Sequence, residues 1–115
     1  MLALVLTFAL GAATPAMALS HHKRHVVNII KRVARNSGYK VKQRSALLKI
    51  CKRESGYYTR ALTGSCKGLF QLKTHFGRSK WTNARWNTLK AIKYIKHRYG
   101  TPRAALAHSY RYGWY

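Results

Sequence analysis

The chain has 115 residues and a formal net charge of +22, set by 23 Lys and Arg against a single acidic side chain, Glu54. One carboxylate excludes the two-carboxylate glycosidase schemes within a monomer, and the absence of Asp excludes a Ser-His-Asp triad. A Ser-His-Glu version would have to use Glu54, and no GxSxG elbow is present to carry its nucleophile.

Residues 1–18 carry no charged side chain, so the whole charge belongs to residues 19–115. The apolar run from Met1 to Leu10, broken at Thr14-Pro15 and followed by Ala16-Met17-Ala18, matches a secretory signal and predicts a mature chain from Leu19. No Lys or Arg precedes the run, and residues 2–19 nearly reach the length of a membrane span, so a retained anchor is the competing reading. Residues 19–115 suffice for one small domain with one core, and not for two.

Val26, Val27, Ile29, Ile30 and Val33 predict a first helix, with a frayed basic start over His21–Arg24 and a stop at Asn36-Ser37-Gly38. Tyr39 to Gln43 reads as a link. A second helix is predicted over about Ser45 to Glu54, with Ser45 as N-cap. Within it Leu47, Ile50, Cys51 and Glu54 fall at i, i+3, i+4 and i+7 and share one face, while Lys49, Lys52 and Arg53 project from the other. Glu54 thus ends an apolar stripe, where desolvation raises a carboxyl pKa and suits it to general acid work at neutral pH. The competing reading is a solvated Glu paired with a surface cation. Ser55-Gly56 stops the helix directly after the acid.

Tyr57 to Lys67 reads as a loop or short β-turn region. Cys51 and Cys66 form an even pair, which in an exported chain predicts a disulfide. Such a bond would contribute roughly 3 kcal/mol in the chain-entropy view and tie the Glu54 helix to the segment beginning Gly68. Neither cysteine has CxxC or CxxH spacing, and no His pairs with an acid at i, i+4, so neither metal nor cofactor is expected. Gly68-Leu69-Phe70-Gln71-Leu72 leads into a polar and aromatic stretch through Trp86. Thr88 to Tyr99 predicts a helix with Leu89, Ile92 and Ile95 on one face and Gly100 as its stop. Thr101 as N-cap and Pro102 at the first position predict a last helix to about Ser109, followed by an aromatic tail over Tyr110–Tyr115. Leu69, Phe70, Ile92 and Ile95 read as core. Trp81, Trp86 and Trp114 suit either packing or stacking on sugar rings. His21, His22, His75 and His97 read as surface groups.

Glu54-Ser55-Gly56, followed by Gly68-Leu69-Phe70-Gln71, resembles the Glu-Ser-Gly and GLxQ motifs of soluble lytic transglycosylases. The closing run from Tyr94 to Pro102, with Ala105 and Gly113-Trp114-Tyr115, is similar to the small phage-type members of that family. The resemblance spans about residues 43–115 and implies a mainly α, lysozyme-like (goose-type) single domain. It implies that Glu54 protonates the bond between N-acetylmuramic acid and N-acetylglucosamine, then acts as base while a 1,6-anhydro ring closes. Ser55, Gly68, Leu69, Phe70 and Gln71 match the family's substrate-binding segments, with Gly68 letting the backbone pass close to the sugar. The family's Tyr-Asn pair in the last helix is missing, and His108 and Tyr110 stand there as substitutes. A hydrolytic muramidase is therefore the alternative product chemistry.

A basic surface of this size attracts polyanions by steering and counterion release. For an exported, monomeric enzyme, periplasmic, extracellular or carried on a virion, the expected partners are peptidoglycan glycan strands and anionic wall polymers. A non-enzymatic cationic wall or nucleic-acid binder, and a membrane-disrupting protein, are the competing readings; no recognisable nucleic-acid motif is present.

Overall fold

A computed structural model describes residues 19–73 and 80–115. The signal or anchor at residues 1–18 and the surface reading of His75 lie outside the described residues. The described residues form four helices and one small antiparallel sheet. Among the described residues no helix is long and apolar enough to cross a membrane.

Helix α1 spans His21–Asn36 and begins with the basic residues that read as frayed. Ser20 explains the difference: its hydroxyl accepts from the Lys23 amide at 3.2 Å and caps the first turn. Val26, Ile30, Val33 and Ala34 form its buried stripe.

Helix α2 spans Val41–Ser55 and starts four residues earlier than the apolar spacing predicts. Ser45 is not its cap; the capping position is Lys40, which makes no side-chain cap bond. Periodicity misses this first turn because Val41 is 68% exposed and buries nothing. The turn is held from outside instead, by the Arg103 amide donating to Gln43 Oε1 at 3.0 Å.

The strands β1 (Leu62–Thr63), β2 (Cys66–Lys67) and β3 (Leu72–Lys73) pair antiparallel in chain order. Thr63 faces Cys66 across the Gly64-Ser65 turn, and Cys66 faces Lys73. Helix α3 spans Ala84–Arg98, again earlier than predicted, because Asn83 caps it by accepting from the Trp86 amide at 2.8 Å. Helix α4 spans Pro102–Tyr112, with the expected Thr101 cap and Pro102 at its start. It runs past Ser109 to an αL cap at Gly113.

Helix α2 packs chiefly on α4, and α1 on α3. Ile30, Leu47, Ile50, Leu69, Phe70 and Ile95 are fully buried at the centre. Burying each such side chain contributes about 1.5–3 kcal/mol. Leu89, placed on the same predicted helix face as Ile92 and Ile95, is 38% exposed.

Both cysteines are free thiols, so the expected disulfide between Cys51 and Cys66 is absent. Cys51 is fully buried, and its Sγ donates to the Leu69 carbonyl at 3.5 Å. Burial pushes that thiol up to about 12, so the thiolate that disulfide formation requires is strongly disfavoured. Cys66 lies half-buried in the central strand. The second helix is still joined to the segment after Gly68, through packing and this weak bond.

Candidate active site

Glu54 occupies the last turn of α2, half-buried at the end of the stripe formed by Leu47, Ile50 and Cys51. The helix stops because Gly56 turns left-handed (φ 59°) and its amide donates to the Lys52 carbonyl at 2.9 Å. Burial holds the Glu54 carboxyl above the ordinary value, and the Arg53 guanidinium opposes this. The negative end of the helix dipole also favours the neutral acid.

Arg53 is not an ion-pair partner held on Glu54. Its Nε donates to Ser109 Oγ at 3.0 Å, an Nη donates to the Ser109 carbonyl at 3.3 Å, and its guanidinium lies 4.7 Å from the Tyr110 ring centre. The cation nearest in sequence is thus committed to tying α2 to α4. Among the described residues no hydrogen bond holds the Glu54 carboxylate. Its half-burial sets it apart from the solvated surface Glu.

The turn carrying Gly68 to Gln71 is fixed by a residue far along the chain. Asn87 is fully buried in α3; its Oδ1 accepts from the Phe70 amide at 3.0 Å. Its Nδ2 donates to the carbonyls of Lys67 (3.3 Å) and Trp81 (3.1 Å). This places Asn87 against Gly68, where any Cβ would strike the Asn87 amide and the Trp81 carbonyl oxygen. Gly68 (φ +81°) is therefore required by internal packing, not by the approach of a sugar. Leu69 and Phe70 are likewise wholly buried, so they support the turn and their side chains do not line a cleft.

Gln71 closes the turn at φ 50°, and its Nε2 donates to Ala61 (3.0 Å) and Gly68 (2.9 Å) carbonyls. Its Oε1 is buried with no partner among the described residues, a cost of about 1–3 kcal/mol. Among the described residues Tyr57, three residues after Glu54, is the other non-glycine residue with positive φ, at 67°. Backbone strain of this kind gathers at functional sites, and both instances flank this region. Ser55 faces its own helix, donating to the Cys51 carbonyl at 3.2 Å.

The C-terminal tail folds back onto the same turn. Tyr115 donates its phenol to the Phe70 carbonyl at 2.6 Å and packs edge-on to Tyr94 at 5.6 Å. Burial pushes that phenol well above its ordinary pKa, and the Glu54 carboxylate adds to the effect. His108 pins the tail by donating from Nδ1 to the Trp114 carbonyl at 2.8 Å. A carbonyl only accepts, so His108 carries its proton on Nδ1. Neither expected substitute for the missing Tyr-Asn pair reaches the acid: His108 holds the tail, and Tyr110 lies exposed over Arg53.

The residues that sequence reasoning missed are Asn87 and Tyr115. Tyr115 had a signal, its place in the closing Gly-Trp-Tyr; Asn87 had none. Beside Tyr115 opens a groove of about 250 Å³, lined by Cys66, Gln71, Leu72, Lys73, Tyr94 and Arg98. Among the described residues no three His, Cys or Glu side chains converge on a metal site. What this arrangement can do is move a proton at one half-buried carboxyl. The chain matches no family model, no curated protein and no solved structure in comparison.

Proposed function

We propose that the chain is a lytic transglycosylase of peptidoglycan with a lysozyme-like fold, working through Glu54 alone. The observation that carries the proposal is the state of that side chain: the one side-chain carboxyl present, half-buried at the end of an apolar stripe and raised in pKa by burial. A short sheet following the acid's helix, and a rigid turn at Gly68–Gln71, support the likeness in fold. Protonated Glu54 gives its proton to the glycosidic oxygen as the muramoyl C1–O bond breaks. The substrate's own acetamido oxygen takes the place of a second carboxylate at C1. Glu54, now ionised, removes the O6 proton as O6 attacks C1, the acetamido oxygen departs, and a 1,6-anhydro end forms without water. Tyr115, and not His108 or Tyr110, holds the Gly68–Gln71 turn through its bond to the Phe70 carbonyl. The +22 charge draws the enzyme, exported and monomeric, to anionic wall polymers and opposes self-association.

Mass spectrometry of glycans released from purified peptidoglycan by residues 19–115, beside Glu54→Gln, tests this reading. Anhydro-muramic ends from the wild type alone are the expected result. Reducing ends would make the protein a hydrolytic muramidase with the same acid. No product from the wild type would overturn the enzyme and favour a cationic binding or membrane-active protein.

A further inference from the structure

The groove beside Tyr115 contains two cations, Arg98 at the end of α3 and Lys73 on β3. Arg98 is unusually well held for an exposed side chain. Its guanidinium carbon lies 5.1 Å from the Trp114 ring centre and 5.6 Å from that of Tyr99. Both rings also pack on His108, at 4.5 and 5.0 Å, and His108 is bonded to the tail. The two rings restrict the guanidinium, one of its N–H groups is given to the Tyr99 phenol, and the remaining N–H groups are left for a planar partner. Among the described residues no carboxylate, neither Glu54 nor the chain terminus at Tyr115 on the same groove, forms an ion pair with Arg98.

We propose that Arg98, with Lys73 on the same groove, binds a carboxylate on the peptide stem of the glycan strand, so that the site discriminates free-acid stems from amidated ones. The inference rests on the glycan-cleaving reading above and deepens it. Arg98 is a specificity residue here, distinct from the proton chemistry at Glu54. A charge-assisted bidentate pair replaced by a neutral amide is worth about tenfold in binding.

The test uses purified glycan strands with free-acid stems and the same strands after their carboxylates are converted to carboxamides. Cleavage is measured at about 0.15 M salt, where distant charges are screened, with wild type, Arg98→Gln and Arg35→Gln. Arg35, exposed on α1, removes one charge elsewhere. Wild type and Arg35→Gln should lose about tenfold on the amidated strands, and Arg98→Gln should treat both strands alike. The proposal is overturned if Arg98→Gln keeps the wild-type ratio, or if Arg35→Gln abolishes it too, which would indicate bulk charge. Retention of Glu54→Gln and of Glu54→Gln with Arg98→Gln on both strands is measured in parallel and needs no cleavage. If wild type cleaves neither strand, the enzyme reading fails by itself, and retention still decides Arg98: equal discrimination by the two proteins overturns its role.

Discussion

Where α1 packs on α3, the buried residues are almost all apolar: Val26, Ile30 and Val33 on one helix, Ala91, Ile92 and Ile95 on the other. Around the end of α2 the buried set is different in kind. Asn87, Gln71 and Ser109 are buried there, Glu54 is half-buried, Gln71 Oε1 has no partner among the described residues, and Tyr57 and Gln71 take left-handed backbone angles. The first region follows every local rule and contributes stability. The second breaks several at once, which proteins tolerate where geometry serves a function and packing elsewhere offsets the cost.

The sharpest way to break this contrast is Glu54→Gln. Cleavage should fall by about a thousandfold, the scale of losing a general acid and base, while the helical circular dichroism stays unchanged. A variant that keeps its activity would reduce Glu54 to a surface residue. Next in size is Asn87→Ala, which removes three hydrogen bonds from a fully buried clamp and should cost about 2–4 kcal/mol in urea unfolding. Ile30→Val, in the apolar region, should cost only about 1 kcal/mol and leave activity intact. Equal losses for the two would remove the distinction between the regions.

These two positions also show what the sequence could reveal. Ile30 is legible because its neighbours at helical spacing are apolar, and the same signal correctly placed Leu47, Ile50 and Cys51 beneath Glu54. The cap at Thr101-Pro102 was legible for a local chemical reason. The clamp at Asn87 was not, because its partners lie 6, 17 and 20 residues back in the chain, are all backbone groups, and leave no local pattern. The early start of α2 was hidden because its first turn meets no core. The cysteine pair misled, since an even count says nothing about whether two thiols meet.

A smaller effect is expected from Tyr115→Phe, which keeps the ring and removes only the bond to the Phe70 carbonyl. Stability should fall by about 1 kcal/mol and kcat by about tenfold, with the affinity for glycan strands little changed. A changed affinity with an unchanged kcat would assign Tyr115 to binding and not to holding the Gly68–Gln71 turn. Smaller again is the effect of salt. With +22 charges and one carboxylate side chain, the folded state repels itself, so the melting temperature should rise from low to moderate salt. A steady fall over that range would contradict this. The pH dependence completes the series. Because burial raises the Glu54 pKa in the folded state, its contribution to stability is fully present below the unfolded value, about 4.3. It is lost as pH rises through the folded value. Melting temperatures of Glu54→Gln across the same range should lack that decline.

The central claim, a neutral-leaning acid inside a cationic protein, sets two effects against each other. Twenty-two net positive charges draw a carboxyl pKa down, and burial at a helix C-terminus drives it up. Because the chain holds one Glu and no Asp, labelling with ¹³C-glutamate yields a single glutamate carboxyl resonance to follow by NMR during a pH titration. A midpoint above the ordinary glutamate value is the predicted result. A midpoint at or below it would mean that the cations prevail, and that Glu54 is ionised too early to serve as the acid.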